Sequence, residues 1–379
     1  MAKIKKKYDA VVFGGGFSGL LAAQILRAKN KSFLLVEPSD KLGGRLTAWT
    51  AQENKLPSNP NIFALSSEFD HQLFGWLEST LDTRIVDGQF SAPASHLKDG
   101  QLKPLTGFGD KNYEALEEYN SFCLQPEKAN LTQLPHIWVE RLISQLQEDE
   151  YVLHSEITSV HVEGKKAQSL TLNGKTNIEF EALIWAQPPQ NMLNVVGAQN
   201  LSPSDAKKLK RPTKVFDAIM LNLSHKGYTH DRLKPSDNQS SATHSPLLEN
   251  WPLKAHPEVL CLYGSQDEFE PVIGTISSDS SCWMTLVPSE LSLDNEFVAK
   301  VIKNMKKQIK RPFPDLFEQV STEEKIILSE NAYGYLPLKE NDHGYLKDIS
   351  NLFCVSSLCS PAQGLMGALD RAMKLENNL

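Results

Sequence analysis

The chain has 379 residues, enough for two domains with sizeable cores. Hydrophobic residues make up 40% and charged residues 22%, the balance of an ordinary globular enzyme, which excludes disordered, collagenous and coiled-coil chains. A net charge of −7 provides no global positive field for a phosphate backbone, so nucleic acid is not an expected partner. The five cysteines, Cys123, Cys261, Cys282, Cys354 and Cys359, are irregularly spaced and fit neither a disulfide framework nor a tetrahedral zinc site; a reducing cytoplasm is the expected compartment.

Four lysines within residues 1–7 precede an apolar stretch, as in a secretory leader, but Gly14, Gly15, Gly16 and Gly19 interrupt that stretch and no small-residue cleavage pattern follows. No segment is apolar for the length of a bilayer, so no transmembrane span is expected. Ala10-Val11-Val12-Phe13 reads as a strand buried on both faces, and Leu20, Leu21, Ile25 and Leu26 recur at helical spacing after the glycines. Phe33-Leu34-Leu35-Val36 is a second buried strand ending at Glu37, so residues 8–37 have the order of one βαβ unit.

Phe69, Leu73, Trp76 and Leu77 mark a helix, residues 85–105 read as short antiparallel strands, and Pro135 opens a helix carrying Ile137, Trp138, Leu142 and Leu146. Residues 157–162, 169–172 and 178–180 read as strands joined at Glu163-Gly164 and Asn173-Gly174, followed by a separate buried strand over 182–186. Strands over 215–223 and 259–263 flank the polar segment 224–257, which reads as a long loop or lid. Phe297, Val298, Val301, Ile302 and Met305 mark another helix, and the chain ends in a strand over 352–355 and a helix from Pro361 onward. A parallel sheet needs its strands together, so the last unit is expected to return to the first and make the domains discontinuous.

Gly14-Gly15-Gly16-Phe17-Ser18-Gly19 fits G-x-G-x-x-G between a strand and a helix, and Glu37 lies at the end of the next strand. One glycine permits the tight turn, one lets the backbone approach a pyrophosphate and one lets helix and strand pack closely. The helix N-terminus offers N–H groups and a positive dipole end, while Glu37 can accept from ribose hydroxyls. These residues imply an adenine dinucleotide.

With the following Gly43-Gly44-Arg45, the region resembles the FAD-dependent amine oxidase-like flavoproteins, which include amine oxidases, protoporphyrinogen oxidase, carotenoid desaturases and renalase-like enzymes. The resemblance implies that the glycine doublet passes close to the flavin phosphates and ribityl chain with Arg45 nearby. It places the backbone of Ile157 at the adenine, and Gly364, Leu365 and Met366 at a helix N-terminus pointing at the flavin pyrimidine ring. Two departures stand out. Ser357 occupies the place of the acid that binds the ribityl chain, and Leu56-Pro57-Ser58-Asn59 replaces a D-x-G pattern.

The resemblance implies an α/β fold: a Rossmann-type FAD-binding domain over 1–84, 133–212 and 345–379, and an antiparallel-sheet-plus-helix substrate domain over 85–132 and 213–344. It implies an oxidoreductase that moves a hydride from a small organic substrate, with an amine as the leading class, to flavin N5. Two alternatives stand beside it: a non-catalytic or partner protein that keeps the dinucleotide fold with an altered isoalloxazine end, and an NAD(P)-binding oxidoreductase. No catalytic residue is assigned and the oligomeric state is left open.

His225, His230, His244 and His256 show no ligand spacing and read as solvated loop residues, so no metal site is expected. Cys354 and Cys359 read as core fillers. Trp283, Tyr333 and Tyr335 lie in strand-like segments where the family places substrate-facing aromatics, and packing explains them equally well.

Overall fold

The computed structural model describes residues 4–51, 54–56, 65, 67–91, 94–125, 127–212, 215–225, 258–264, 269–276, 279–362 and 364–379. Its first sheet centres on the strand Lys7–Phe13, which pairs in parallel with Phe33–Val36 on one side and Thr176–Trp185 on the other. The short strand Tyr151–Val152 pairs beyond Phe33–Val36, and the C-terminal strand Leu352–Cys354 pairs in parallel with Thr176–Trp185. The last unit of the chain therefore does return to the first. Ile157–Glu163 and Lys166–Leu172 complete the seven-stranded sheet as an antiparallel meander.

Both faces of this sheet are covered, which is why its central strands show no polar alternation. The helices Phe17–Ala28, Glu68–Leu81, Pro135–Ser144 and Gly364–Glu376 contribute to a core with Val12, Leu35, Ile184 and Phe353 on one face. Val11, Leu34, Leu183 and Cys354 point into a separate core on the other.

The second sheet has the strand order Val320–Gly334, Val215–His225, Ser280–Pro288, Val272–Ile276, Glu258–Leu262, Ser95–Lys98 and Gln101–Pro104. Its pairings are antiparallel except the one between Glu258–Leu262 and Ser95–Lys98. One face packs on the helix Asn295–Lys310, which is capped by the Asp294 carboxylate accepting from the N–H groups of Glu296 and Phe297 at 2.8 and 3.2 Å. The other face packs on the helix Leu116–Cys123 and the rings of Phe108, Tyr113 and Tyr119. Tyr119 is fully buried there, and its hydroxyl accepts the Leu286 N–H at 2.8 Å. The architecture is thus α/β: a Rossmann-type unit and an antiparallel sheet with helices.

Several expectations are corrected. Residues 178–180 and 182–186 belong to one continuous strand, Thr176–Trp185. The turn expected at Glu163-Gly164 is centred one residue later, on Gly164 and Lys165, whose φ of 55° and 66° suit the primed turn that matches strand twist. The final helix starts at Gly364, three residues beyond Pro361.

An ion cluster near the C-terminus ties the last helix to the stretch that follows the second sheet. Arg371, 2% exposed on the last helix, pairs through both terminal nitrogens with Glu340, at 2.6 and 3.0 Å, and Lys374 adds a contact to Glu340 at 2.8 Å. The Arg371 Nε donates to the Cys354 carbonyl at 2.7 Å, and its guanidinium lies 4.9 Å from the centre of the Phe353 ring. Breaking a buried pair leaves one charge uncompensated. Glu340→Ala should therefore lower the unfolding free energy by about 3 kcal/mol, read as a shift in the urea midpoint.

Glu270 ties the start of the Leu116–Cys123 region to the second sheet by accepting the Glu114 N–H at 2.9 Å. Burial, with help from Glu114 and Glu118, pushes its carboxyl up from 4.5 to about 7, against the pull of backbone N–H groups at Glu114 and Ala115. The folded protein then holds this proton more tightly than the unfolded chain does. Stability present below about pH 4.5 should decline as pH rises to about 7, by about 1 kcal/mol after allowance for solvent screening. A Glu270→Gln protein should lose that part of the pH dependence in denaturant titrations.

Candidate functional site

The parallel strands of the first sheet end at the glycine loop. Gly14 has φ +110°, a conformation closed to most side chains, and its N–H donates to the Val36 carbonyl at 2.8 Å. At Gly19 a side chain would run into the Gly14 carbonyl, so the close packing of strand and helix demands glycine there. Gly16 is the cap residue of the helix Phe17–Ala28, with ordinary φ −71°, and no side chain caps that helix. Its N-terminus, at Phe17, Ser18 and Gly19, thus keeps the backbone donors that suit a phosphate.

Glu37 closes the loop from the second strand. One carboxylate oxygen accepts the Gly15 N–H at 2.5 Å and the other the Ser39 N–H at 2.9 Å. The Glu37 backbone is bonded to Val152 and Ser155, which brings the start of the Ile157–Glu163 strand alongside. Ile157 itself is buried. Gly43 has φ +111° and donates its N–H to the Gly15 carbonyl at 2.8 Å, forming a parallel bridge with Gly16. A side chain on Gly44, at φ +56°, would stand 3.0 Å from the Gly16 Cα. The structure therefore brings Gly14, Gly16, Phe17, Ser18, Gly19, Glu37, Gly43, Gly44 and Ile157 to one end of the sheet.

Arg45 follows on the exposed side of this crossing and acts electrostatically on Tyr333 of the second sheet. Burial pushes the Tyr333 phenol up, and the Arg45 charge opposes it. Lys41 plays the same part toward Glu324: burial raises that carboxyl, while an Asn222 hydrogen bond and Lys41 pull it down. Lys41, Asn222 and Glu324 were not picked out by the sequence pattern, and Arg45 and Tyr333 were picked out separately, not as neighbours. They come together only through folding, and the one available signal was the position of Lys41 just ahead of the doublet.

At the C-terminal end, Ser357 lies buried in the tight turn Ser357–Cys359. A side chain on Gly367 would come within 2.8 Å of the Ser357 carbonyl, so this turn and the start of the Gly364–Glu376 helix are in contact. Gly364 has φ +49° and open space around it, and Met366 shares a core with Phe17. Leu365 packs against that core.

The structure places four of the side chains singled out above. Trp283 is fully buried on the face of the Asn295–Lys310 helix, its ring 6.4 Å from that of Phe313, so packing accounts for it. Tyr333 is on the opposite face, facing Arg45, and Tyr335 is exposed. His225 is 2% exposed at the end of the Val215–His225 strand, contrary to a solvated loop histidine, because that strand runs two residues further than its apolar run. His230, His244, His256, the rest of the loop over 226–257 and Pro57-Ser58-Asn59 lie outside the described residues.

Residues 12–79 match the family model described as an NAD(P)-binding Rossmann-like domain. Protoporphyrinogen oxidase 1 from the chloroplast of Spinacia oleracea is 34% identical over 101 residues, 26% of this chain and 17% of that protein. The (S)-6-hydroxynicotine oxidase of Paenarthrobacter nicotinovorans is 48% identical over 50 residues, 13% of this chain and 11% of that protein. These matches thus span less than a fifth of the relatives' length. The structure of putrescine oxidase bound to putrescine covers 98% of both chains with a TM-score of 0.60 at 12% identity, a likeness of fold. The resemblance to the amine oxidase-like flavoproteins holds. Among the described residues no helix is long and apolar enough to cross a membrane.

Glu37→Ala removes the acceptor of the Gly15 and Ser39 N–H groups and, on the role expected from the sequence, the acceptor for ribose hydroxyls. It should weaken adenine dinucleotide binding by about 1.5–3 kcal/mol, measured by calorimetric titration of the folded variant.

Proposed function

We propose that this chain is an FAD-dependent oxidoreductase acting on a small organic substrate, with an amine as the leading substrate class. The observation that carries the reading is the crossing of two glycine segments, in which Gly43 bonds to Gly15 and Gly44 lies against Gly16 beside an uncapped helix N-terminus. A second glycine segment packed on the phosphate loop has no task in a simple nicotinamide site. It suits a longer cofactor that continues past the pyrophosphate.

On this reading Gly14 shapes the turn, the N–H groups at Gly16, Phe17, Ser18 and Gly19 hold the pyrophosphate, Glu37 accepts from the adenosine ribose and the Ile157 backbone borders the adenine. Gly43, Gly44 and Arg45 flank the ribityl side, Arg45 supplying positive charge to a phosphate. Ser357 and the helix start at Gly364, Leu365 and Met366 border the far end, where a positive dipole stabilises negative charge. The bound flavin supplies a two-electron acceptor for a hydride at N5, with oxygen or another acceptor closing the cycle.

The second sheet closes the substrate side. Tyr333, Asn222 and Glu324 face the 41–45 loop, and the adjoining packed face of Phe108, Tyr113 and Tyr119 excludes water. An amine is favoured by the fold shared with putrescine oxidase and by the half-buried Glu324 carboxylate on this face. We accordingly assign 1–84, 133–212 and 345–379 to cofactor binding and 85–132 and 213–344 to the substrate side; the distribution of strands between the sheets supports this division. The described cysteines are all free thiols, which supports a cytoplasmic setting.

The test is the visible spectrum of the purified protein, followed by anaerobic addition of primary and secondary amines. A flavin spectrum that bleaches is expected. A stable spectrum with every substrate favours the non-catalytic reading, and absence of flavin with binding of NAD(P) overturns the assignment. Gly16→Val should remain folded, because a Cβ at Gly16 meets nothing nearer than Gly44 Cα at 3.9 Å, yet lose the flavin by filling the phosphate approach. A yellow, folded Gly16→Val protein would refute the placement of the pyrophosphate.

A further inference from the structure

Beyond the cofactor crossing, the structure contains a second chemically distinctive cluster at the end of the C-terminal strand. Cys354 closes the strand Leu352–Cys354, and the turn Ser357–Cys359 folds back so that the Cys359 thiol donates to the Cys354 sulfur at 3.3 Å. The Cys359 N–H bonds to the Ser356 carbonyl at 2.9 Å, which holds the turn in the shape that brings the sulfurs together. Only a small displacement separates such a contact from a covalent bond.

A cation stands beside the pair. Arg371 donates to the Cys354 carbonyl at 2.7 Å and is held there by Glu340. Burial works against a Cys354 thiolate, but the Cys359 hydrogen bond and the Arg371 charge outweigh it and hold this thiol below its usual range. Cys359 is shifted the opposite way, well above it, by its bond to Cys354 and by burial. The geometry has Cys359 donating to Cys354, whose carbonyl Arg371 holds, so Cys354 suits the part of the attacking cysteine and Cys359 that of the resolving one.

The described residues offer an internal contrast. Cys261 is hydrogen-bonded to Cys123, but burial and that neighbour push its thiol well above the usual range, and no cation is among its influences. Cys282 is pushed up to about 12 by burial and Glu324. Contact alone therefore does not make a reactive pair; contact together with Arg371 singles out Cys354 and Cys359.

We infer that Cys354 and Cys359 form a redox-active dithiol that reduces a hydroperoxide and closes to a disulfide. The Cys354 sulfur attacks one peroxide oxygen, the O–O bond breaks, and a sulfenic acid forms as water or an alcohol leaves. The Cys359 sulfur then attacks the Cys354 sulfur, the S–S bond forms and a second water departs with the hydroxyl oxygen. The two thiols lose two electrons and two protons, and the hydroperoxide gains both. The pair stands on its own geometry; only the source of the peroxide, oxygen reduced by an oxidase in turnover, rests on the function proposed above.

Both cysteines fall in the tryptic peptide 348–371, which contains no other cysteine. The purified full-length protein, with and without added FAD, is treated with hydrogen peroxide near equimolar concentration, unfolded in an alkylating agent, digested and weighed. The expected result is loss of two hydrogens from peptide 348–371, reversed by dithiothreitol, with Cys123, Cys261 and Cys282 still alkylated. Cys359→Ser should halt the sequence at a Cys354 sulfenic acid that a cyclic 1,3-diketone captures, and Cys354→Ser should leave Cys359 unmodified. Alkylation of both cysteines after peroxide treatment overturns the inference, as does oxidation of Cys123 and Cys261 at the same rate. The wild-type measurement decides the matter even if a variant fails to fold. Bound flavin is read separately from the visible spectrum, so loss of this inference and loss of the oxidase reading are told apart.

Discussion

Two stretches of backbone pass one another at contact distance near the N-terminus, and the arrangement of the cofactor unit follows from that crossing. Gly43 donates to the Gly15 carbonyl, and Gly44 leaves room for no side chain against Gly16. Both doublet glycines occupy positive φ, where an L side chain would be strained by about 1–2 kcal/mol even with space available. Glu37 locks the crossing from the side through the Gly15 N–H, and its own backbone fixes the 152–155 segment. One residue at a strand end, through its carboxylate and its backbone together, therefore joins the glycine loop, the second strand and the 152–155 segment. The price is that its acceptor capacity is shared between the protein and any bound ribose.

Legibility in the sequence followed the locality of the signal. The glycine fingerprint and the buried strands at 10–13 and 33–36 are set by neighbouring residues and appear as read, whereas the helix opened by Pro135 ends at Ser144, short of Leu146, and leaves Ile137 exposed. The strand Thr176–Trp185 was divided because its environment changes along its length. Its first half pairs antiparallel with Lys166–Leu172 and alternates, with Ile178 and Phe180 buried between exposed neighbours; its second half lies between two parallel strands and is apolar throughout. The helix Leu116–Cys123 carries Glu117, Glu118 and Asn120 among its aromatics, so no clean apolar stripe announced it. The strand Val320–Gly334 is dominated by polar residues at its start and is interrupted in register between Leu328 and Tyr333, so period-two patterning could not reveal it.

The site was legible at its phosphate end and obscure at its other end for the same reason. A phosphate cradle is made of backbone and needs glycine, which leaves a mark in the sequence. The far end is made of side chains and turns from separate parts of the chain. Ser357, standing where the resemblance places an acid, is buried beneath Gly367, in the turn that also positions Cys359. Negative charge in this neighbourhood comes from Asp370, which accepts the Ser360 hydroxyl at 2.6 Å, and from Glu340, which arrives from the stretch after the second sheet and is neutralised by Arg371 and Lys374. The Leu336 N–H also bonds to the Leu358 carbonyl at 2.6 Å, so that stretch is joined to the turn directly.

Strand parity decides which residues of the second sheet can meet a substrate. Along Val215–His225, Ile219, Leu221 and Leu223 enter the core shared with the Asn295–Lys310 helix, whereas Phe216, Ala218 and Met220 enter the opposite core. Asn222 continues the second series, and it pairs directly with Glu324 on one neighbouring strand and Cys282 on the other. These three positions share the face that carries Tyr333 and looks toward Lys41 and Arg45. Trp283 opposes Leu221 and is committed to the helix side, so no rotamer brings it to the cofactor. A polar strip at the end of an otherwise apolar sheet face, opposite the glycine doublet, is where the substrate would be oriented. It exists because a single register, fixed by the apolar residues on the other face, turns Asn222, Cys282 and Glu324 the same way.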